Sequence, residues 1–528
     1  MTEYIISGIS LPLDSSADEA VATAAKKLRR AGVRAKRLSL YRRSVDARDK
    51  REIKLVYAVR FSAEGTLKRE VEQKLALQKA ASDTLEIVRG SEKMAARPVV
   101  IGMGPCGLFA ALLLAENGYR PLLIERGGDV ESRVRAVDKF YSNGVLDENC
   151  NIQFGAGGAG TFSDGKLVTR ITDNRCAFVL SKLCEMGAPK AILTMAKPHI
   201  GTDILRDVVA NAAKRIVSLG GEIMYNTSFL GFGAVRGGIR TLHTTAGDIA
   251  ASSTVLAIGH SARDTYEMLI GRGTDIEAKD FSVGFRIEHL KEDIDRALYG
   301  SFAGHKALPY GEYNLSYNTK VRGVYTFCMC PGGEVVSGAS ERGGLCVNGM
   351  SRYARNGRNS NSAVCVSVFK NDYGATPRDA IEFQRKLERA AFTAGGGDYS
   401  APVMSVGKFL GTSEEYGKVE PTYMGGKVRE ADLTELLPEH LTETLSAGLM
   451  DFGRKIRGFD SPSAMLSGLE TRTSAPLRIL REDNFTMIGE SDIYPGGEGA
   501  GYAGGITSAA VDGIKIAEKI ISRYRPLD

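Results

Sequence analysis

Hydrophobic and polar positions alternate with two different spacings along the chain, and the clearest pattern lies near residue 100. A short apolar run, Val99–Ile101, precedes a stretch of good helix formers, Leu108–Asn117, and a second apolar run, Pro121–Ile124. Short apolar runs are typical of buried parallel strands, and the stretch between them predicts a helix that ends at Gly118. The pattern therefore predicts a β-α-β unit.

Residues 1–92 precede this unit and have a pattern of their own. Segments in which apolar and polar residues alternate predict strands, and longer segments with apolar residues three or four positions apart predict helices. The predicted strands are Tyr4–Ile9, Val33–Tyr41 and Ile53–Phe61, and the predicted helices are Ala17–Ala31 and Leu67–Val88. These elements predict a small N-terminal α+β domain.

The pattern changes again near residue 281 and near residue 467. Residues 93–280 continue the first unit with a predicted helix at Thr202–Leu219 and strands up to Thr254–Ile258. Residues 281–466 mix aromatic-rich strands, Gly/Asn-rich loops and helices, which predicts an inserted α+β domain on the substrate side. Residues 467–528 add a predicted strand at Phe485–Ile488 and a helix at Ile506–Arg523.

The turn after the first strand, Gly102-Met-Gly104-Pro-Cys-Gly107, fits the pattern G-x-G-x-x-G. Gly102 permits a tight turn, Gly104 lets a pyrophosphate approach the backbone, and Gly107 lets the helix pack against the strand. Glu125 ends the second strand, where an acid accepts hydrogen bonds from ribose hydroxyls. The order of strand, glycines, helix, strand and acid predicts a dinucleotide site. The alternative is an ordinary tight turn between strand and helix.

Two further glycine-rich segments extend this prediction. Gly155–Gly160 follows no apolar strand, so we interpret it as a loop that wraps a cofactor, with a plain flexible loop as the alternative. Near the C-terminus, Gly489-Glu490 follows a predicted strand, and Gly504-Gly505 precede the last helix. An acid there suits ribityl hydroxyls, and a helix N-terminus suits the pyrimidine edge of a flavin. The second site changes the prediction from a dinucleotide to FAD.

Composition adds limits and one alternative. The chain has 528 residues, a formal net charge of +6 and no apolar run of about 18 residues, so no transmembrane helix is predicted. Its eight cysteines form no C-x-x-C pair and no zinc pattern, so no metal is predicted and a cytoplasmic location is expected.

From Lys26 to Arg60 there are 14 Lys or Arg residues and three acids. This basic segment predicts either an RNA-binding surface, a solvated face or a face that docks on the same chain.

Several blocks resemble bacterial NAD(P)/FAD-dependent oxidoreductases, many of which are described only as uncharacterised FAD-dependent dehydrogenases. The blocks include VVIGMGPCGLFAAL, FGAGGAGTFSDGKL, VLAIGHSARDTYEML and YPGGEGAGYAGGITSAAVDG, and they run from about residue 97 to the C-terminus. The resemblance implies an α/β fold with a Rossmann-type, glutathione-reductase-like FAD domain that is interrupted in sequence by the inserted domain. The substrate is not implied.

The FAD-binding residues that the motifs and the resemblance indicate come from six segments. They are Gly102, Gly104, Pro105, Cys106, Gly107, Glu125, Arg126, Gly157, Gly158, Ala159, Gly160, Thr161, Phe162, Ser163, Lys166, Gly259, Gly489, Glu490, Gly504, Gly505 and Ile506.

The sequence offers few candidates for catalysis. His260 and Arg263 follow a predicted strand and are candidates for acid–base work near the flavin, with turn-bracing residues as the alternative. Lys166 is a candidate to stabilise reduced flavin or else a surface lysine, and Arg472 with Thr473 would line a substrate cavity. Cys328 and Cys330 are interpreted as packing thiols, because bridging an i,i+2 pair in an extended strand is strained.

These observations predict a FAD-dependent oxidoreductase that passes electrons through flavin N5 between NAD(P)H, as a transient donor, and a small metabolite. No nicotinamide-binding domain is found in the sequence. One alternative is an RNA-associated, tRNA-modifying flavoprotein that uses the basic segment. Another is a flavin-bound regulatory protein without turnover. The oligomeric state is left open.

Overall fold

An antiparallel sheet covered by one helix forms the N-terminal part of the protein. The computed structural model describes residues 2–80, 84–414 and 419–527. The elements of this part are β1 (Thr2–Pro12), α1 (Ala17–Arg30), β2 (Ala35–Asp46), β3 (Lys54–Ala63), α2 (Arg69–Lys74) and β4 (Gln78–Lys79). The sheet order is β2-β3-β1-β4, and the three strands and first helix predicted here are confirmed.

The long helix predicted over Leu67–Val88 is wrong. Helix α2 ends at Lys74, and Ala76 has a φ of 47°, which stops a right-handed helix. The chain then joins the sheet as β4, where Lys79 pairs with Tyr4 of β1. Pairing with a distant strand therefore overrides the local helix propensity of this segment. Residues 81–83 lie outside the described residues.

A parallel sheet forms the centre of the next part. Its elements are β5 (Val99–Ile101), α3 (Pro105–Glu116), β6 (Leu122–Ile124), α4 (Val130–Asn143), α5 (Arg175–Glu185), α6 (Thr202–Ser218), β7 (Glu222–Met224), β8 (Phe229–Arg236), β9 (Ile239–Thr244), β10 (Gly247–Ala251), β11 (Thr254–Leu256), α7 (Arg263–Gly271) and β12 (Ile276–Ala278). Strands β11, β5, β6 and β7 pair in parallel, in that order.

Both faces of this sheet are covered, which explains why its central strands β5 and β6 are wholly apolar. Val100 and Leu123 pack into the core with α3 and α6, whereas Val99 and Leu122 pack against the antiparallel strands β8–β10. Successive strand residues point to opposite faces, so a strand covered on both sides needs apolar side chains at every position.

The inserted part is built on a larger mixed sheet. Its elements are β13 (Phe281–Leu290), α8 (Lys291–Tyr299), β14 (Ser316–Asn318), β15 (Gly323–Cys330), β16 (Glu334–Ser337), β17 (Val347–Met350), β18 (Asn359–Val368), α9 (Lys370–Tyr373), α10 (Pro377–Ala394), β19 (Ala401–Ser405), α11 (Val406–Phe409), β20 (Val428–Glu430), α12 (Glu439–Lys455) and β21 (Met465–Glu470). The sheet order is β14-β15-β18-β13-β21-β19-β20.

The chain returns to the parallel sheet at its C-terminal end. The last elements are β22 (Leu477–Ile479), β23 (Ile493–Pro495) and α13 (Ile506–Arg523). Strand β23 pairs in parallel with β11, so the parallel sheet has the order β23-β11-β5-β6-β7. The predicted strand at Phe485–Ile488 is wrong, because Met487 makes only isolated bridges there.

The basic segment of the N-terminal part faces the rest of the chain with part of its surface. The Arg43 backbone N–H donates to the Thr194 carbonyl at 2.7 Å, and the Arg42 guanidinium donates to Ala196 at 3.0 Å. The Lys50 ammonium reaches the Ala297 carbonyl at 2.7 Å. These contacts attach the N-terminal sheet to the part that contains the parallel sheet and to the inserted part. Across the described ranges, no helix combines the length and the apolar character that crossing a membrane requires.

Candidate functional site

A cavity of about 440 Å³ opens at the carboxyl ends of the parallel strands. It is lined by the turn after β5, the end of β6, the Gly158–Lys166 segment and the turns after β11 and β23. Ligands of open α/β sheets bind at this edge, because the strand-to-helix turns converge there. Residues of the inserted part, including Phe327, close the other end of the cavity.

The three glycines of the first turn have different surroundings. A Cβ atom on Gly102, which has a φ of 94°, would lie 2.3 Å from the Ala257 carbonyl oxygen, and one on Gly107 would lie 1.9 Å from the Gly102 oxygen. Both positions therefore admit only glycine. Gly104 has a φ of −69°, and a Cβ atom built there would meet nothing closer than the Cα of Gly158 at 4.0 Å. Gly104 thus faces open space in the cavity at the N-terminus of α3, where backbone N–H groups attract anions.

Glu125 connects the three loops around the cavity. Its Oε2 accepts a hydrogen bond from the Met103 N–H at 2.8 Å, and its Oε1 accepts from Gly127 at 3.0 Å and from Gly155 at 2.8 Å. A carboxylate has about four lone-pair sites, so one site on Oε2 is left for a ribose hydroxyl. Glu125 therefore fixes the loops as well as facing the cavity, and the first of these roles was not predicted.

The glycine-rich loop is shaped by Arg133 of α4, which the sequence analysis missed. This arginine is fully buried and donates to five backbone carbonyls, those of Asn151, Ile152, Gly155, Ala156 and Gly158. Burial lowers the pKa of Arg133 to about 10, so it stays charged at neutral pH. The only sequence signal is a basic residue in an amphipathic helix, which is too common to identify such a role.

The orientation of the Gly158 carbonyl has a consequence for the cavity. Because the C=O and N–H of a trans peptide point in opposite directions, the Ala159 N–H points away from Arg133. Gly158 and Ala159 both line the cavity. Gly158 and Ala159 therefore bring a second backbone segment to the cavity close to Gly104, where a pyrophosphate is expected.

The C-terminal acid at the cavity is Glu498 rather than Glu490. Gly489 and Glu490 lie outside the cavity lining, and Glu490 instead forms an ion pair with Arg240. Strand β23 ends at Pro495, so the acid that follows it is Glu498, which lines the cavity. Burial raises the pKa of Glu498 to about 7. An acid after the last strand is therefore present, but eight residues later than predicted, because that strand is β23 and not the predicted strand at Phe485–Ile488.

Helix α13 begins at the same place. Gly504, Gly505 and Ile506 line the cavity, and Gly505 has a φ of 92° immediately before the helix. The helix N-terminus carries a partial positive charge that favours an electron-rich group. This arrangement is the one expected for the pyrimidine edge of a flavin.

Lys166 lines the cavity as one member of a buried ion cluster. Its ammonium forms an ion pair with Asp164, which is fully buried and also pairs with Arg355. Burial opposes the charge on Asp164, but Lys166 and Arg355 outweigh it and hold the pKa of this carboxyl at about 2. Asp164 raises the pKa of Lys166 in turn. Lys166 is therefore a fixed cation rather than a mobile surface lysine.

Arg263 lies in a buried ion network and not on the cavity. Its guanidinium contacts the carboxylate of Glu388 of α10 at 2.8 Å and 2.9 Å, and the same carboxylate binds Arg472 at 2.8 Å and 2.9 Å. Arg472 does line the cavity, and it donates to Ser261 at 3.0 Å. This buried position does not support a role of Arg263 as an acid–base group, since its guanidinium is directed at the Glu388 carboxylate and not at the cavity.

His260 lines the cavity and makes a 2.9 Å contact between its Nδ1 and Ser261 Oγ. Burial, with the positive charges of Arg472 and Arg263, lowers the pKa of His260 to about 3. The imidazole is thus neutral at physiological pH, and it can donate or accept a hydrogen bond but does not act as a cationic acid.

The structure brings together most of the predicted site residues. Those that line the cavity are Gly102, Gly104, Pro105, Cys106, Glu125, Arg126, Gly158, Ala159, Gly160, Ser163, Lys166, Gly259, His260, Arg472, Thr473, Gly504, Gly505 and Ile506. Those outside its lining are Gly107, Gly157, Thr161, Phe162, Arg263, Gly489 and Glu490.

The predicted residues outside the lining act mainly behind it. Gly107 packs α3 against β5, and the Gly157 N–H donates to the Met103 carbonyl at 3.0 Å. The Thr161 carbonyl accepts from Thr202 at 2.7 Å, and the Phe162 ring lies 4.8 Å from the Arg133 guanidinium. Within the described part of the chain, no three His, Cys, Asp or Glu side chains gather as a metal-binding group.

Comparison with known proteins identifies relatives of the chain. Residues 280–473 match a family model described as "FAD-dependent protein, C-terminal domain-like". An uncharacterised protein of Clostridium beijerinckii is 45% identical over 527 residues, which cover 98% of each chain. This identity over nearly the whole length is that of members of one family.

Solved structures give more distant likenesses. CtdE in complex with FAD is 10% identical, with 82% of this chain and 87% of that chain covered and a TM-score of 0.33. Glycine oxidase from Geobacillus kaustophilus is 11% identical, with coverage of 80% and 92% and a TM-score of 0.34. A geranylgeranyl bacteriochlorophyll reductase-like protein from Thermoplasma acidophilum is 11% identical, with coverage of 81% and 79% and a TM-score of 0.36. These likenesses are too low to support inferences about particular residues.

Proposed function

Because the chain belongs to one family with its Clostridium relative and its residues 280–473 match the model of an FAD-dependent protein, we propose that the cavity holds one FAD molecule and uses it to oxidise or reduce a small substrate. FAD is a carrier of electrons, so the protein is an FAD-dependent oxidoreductase. The observation that carries the placement is the open space in front of Gly104, where the N-terminus of α3 and the Gly158–Ala159 backbone both line the cavity.

The residues around the cavity fit the two halves of FAD. The ADP half would lie along Gly102, Gly104 and Glu125, where the N-terminus of α3 faces the pyrophosphate. The flavin half would extend past Lys166 and Glu498 to the N-terminus of α13. The cavity is continuous between these two ends, which is what an extended dinucleotide requires.

Bound FAD supplies two-electron transfer at its N5 atom, and the protein supplies the charges around it. The N-terminus of α13 and the fixed ammonium of Lys166 both favour negative charge on a reduced flavin. His260 stays neutral in this environment and is suited to orient a substrate by hydrogen bonding. Arg472 is held by Glu388, so it presents a fixed positive edge to the cavity.

NAD(P)H as the electron donor remains a prediction of our own. The RNA-associated alternative has less support, because Arg42, Arg43 and Lys50 of the basic segment bind carbonyl oxygens of the same chain. A tRNA partner would have to use the remaining cations of that segment. A cytoplasmic location also remains a prediction.

Purified full-length protein tests the proposal in two steps. The first step measures the visible absorbance and the flavin released on denaturation, and we expect about one FAD per chain. Protein that stays colourless after incubation with FAD would refute the placement. The second step mixes the FAD-bound protein with NADH or NADPH without oxygen. Bleaching by either supports the nicotinamide donor, and no bleaching by both rejects that donor while FAD binding still stands.

A further inference from the structure

We infer that Cys328 and Cys330 form a second redox centre at the substrate end of the cavity, a dithiol that is oxidised to a disulfide in exchange with bound FAD. The inference rests on the proposed function, since FAD is the electron acceptor. It replaces the interpretation of these residues as packing thiols, which assumed a regular strand.

The strand that carries the pair is not regular at this point. Phe327 of β15 pairs with Ala363 of β18 and Cys330 pairs with Asn361, so Cys328 and Met329 together lie opposite one residue. This is a β-bulge, and such bulges are frequent next to active sites. Cys328 has a φ of 44°, in the left-handed region that non-glycine residues rarely adopt.

The bulge turns Cys330 back towards Cys328. In a regular strand the Cα atoms of residues i and i+2 are about 6.6 Å apart, near the upper limit for a disulfide. Here the Cys330 thiol donates a hydrogen bond to the Cys328 carbonyl oxygen at 3.3 Å. The irregular backbone therefore brings the Cys330 sulfur next to residue 328, so a disulfide needs less backbone movement than it would in a regular strand.

Two cations surround the pair. Arg286 of β13 donates to the Cys328 carbonyl at 2.6 Å and lies 3.5 Å from the Cys330 sulfur, and Lys166 faces Cys328 across the cavity lining. The hydrogen bond from Cys330, with Arg286 and Lys166, lowers the pKa of Cys328, and the same coupling raises the pKa of Cys330. Positive groups favour a thiolate, which is the reactive form of cysteine. Because Cys328 lines the cavity and Cys330 does not, Cys328 is the nucleophile of the pair.

The two cysteines also differ in access. Cys328 is half-buried and lines the cavity beside Phe327, whose ring is 45% exposed, whereas Cys330 is fully buried behind it. Thiol–disulfide exchange needs one accessible and one buried sulfur, because the first attacks the substrate and the second then attacks the resulting mixed disulfide. The exposed apolar side chains of Phe327 and Val168 at the cavity lining suit the organic part of a small disulfide.

The reaction balances as a two-electron exchange. Cys328 and Cys330 lose two protons and two electrons as one Sγ–Sγ bond forms, and bound FAD takes up both electrons. In the opposite direction, reduced FAD returns the electrons and the dithiol is restored. A small disulfide would then be reduced in two exchanges. The Cys328 thiolate attacks one of its sulfurs and releases the first product thiolate, and the Cys330 sulfur then attacks Cys328 Sγ of the mixed disulfide and releases the second. The Cys330 proton and one proton from solvent convert both products to thiols, and the new Cys328–Cys330 disulfide is reduced again by reduced FAD.

Reductive titration with dithionite tests the inference, on FAD-bound protein whose thiols have first been oxidised under mild conditions and freed of the oxidant. We expect uptake of about four electrons per FAD, two by FAD and two by the disulfide. Cys328→Ser and Cys330→Ser should each take up about two electrons. Cys365→Ser is the matched control, because this cysteine is buried on the neighbouring strand β18 and lies outside the cavity lining. Uptake of about two electrons by the unaltered protein would overturn the inference.

Peptide mass spectrometry gives a second readout that does not depend on activity. After mild oxidation and alkylation of the unfolded protein, residues 323–330 should carry an internal disulfide and no alkyl groups, whereas Cys365 should be alkylated. Alkylation of both Cys328 and Cys330 would refute the pair. FAD content is measured in each sample, so a protein that forms this disulfide but binds no FAD would reject the proposed function and with it the exchange with FAD.

Discussion

Replacing Gly104 by alanine separates cofactor binding from folding, because this position tolerates a side chain in the empty cavity. Gly104 has a φ of −69° and a ψ of 178°, which alanine adopts without strain. The new Cβ would meet nothing closer than the Gly158 Cα at 4.0 Å. The methyl group would lie where the backbone and the pyrophosphate of FAD have to approach each other.

The expected effect on affinity follows from the hydrogen bonds that the approach permits. A hydrogen bond to a charged group contributes about 1.5–3 kcal/mol, and a methyl group that pushes the pyrophosphate away weakens one or two of them. Since about 1.4 kcal/mol is a factor of ten, the Kd for FAD should rise at least about tenfold. The free energy of unfolding of the FAD-free protein should change by less than about 1 kcal/mol.

The assay titrates FAD into the FAD-free Gly104→Ala protein and follows the change in flavin fluorescence, with thermal unfolding of the same sample as the check on folding. Gly107→Ala is the control, because its Cβ would lie 1.9 Å from the Gly102 oxygen and should destabilise the protein itself. An unchanged Kd in a folded Gly104→Ala protein would contradict our placement of the pyrophosphate.

Three further predictions concern single residues. Arg133→Met leaves the Asn151 and Ile152 carbonyls without a donor, at about 1–3 kcal/mol each, and removes one of the two donors to Gly155, Ala156 and Gly158, so we expect a clear loss of soluble folded protein. Arg135→Met on the exposed side of the same helix should behave normally in yield and circular dichroism. The raised pKa of Glu498 means that the folded FAD-free protein binds its proton more tightly than the unfolded chain, so stability should fall by about 3 kcal/mol as the pH rises from about 4.5 to about 7. Denaturant melts should lose this slope in Glu498→Gln, and an identical slope would contradict the assignment. The NMR signals of His260 should not titrate between about pH 5 and 8, because its pKa is about 3.

The part of the site that the sequence predicted best is local. The turn after β5 and the acid after β6 lie within one β-α-β unit, so each residue type reports a contact made by near neighbours in the chain. Gly102, Gly104 and Glu125 accordingly line the cavity as the pattern predicted. Even here the hydrogen bond from Gly155 to Glu125 was hidden, because it connects segments that only the fold brings together.

Prediction was less accurate where distant segments decide the structure. Glu490 and Glu498 both follow a glycine, and the apolar run before Glu490 resembles a strand more than the short β23 does. Strand β23 is defined by its pairing with β11, which no local pattern reports. In the same way, Arg263 and Arg472 look alike in sequence and both bind Glu388 of α10, and only the fold places Arg472 at the cavity and Arg263 behind it.

The sheet of the inserted part explains how its residues act together at the cavity. Arg286 lies on β13, binds Glu470 of the adjacent strand β21 at 2.8 Å and reaches across the sheet to the Cys328 carbonyl of β15. Glu470 and Cys328 both line the cavity, so one buried guanidinium fixes two of its walls. Arg286→Lys would keep the charge but lose the fork that holds both. We therefore expect this variant to retain FAD, whose contacts lie on the parallel sheet, and to lose the reactivity of Cys328 towards alkylating reagents. Loss of FAD together with full Cys328 reactivity would contradict the assignment of Arg286 to Cys328 and of the FAD contacts to the parallel sheet.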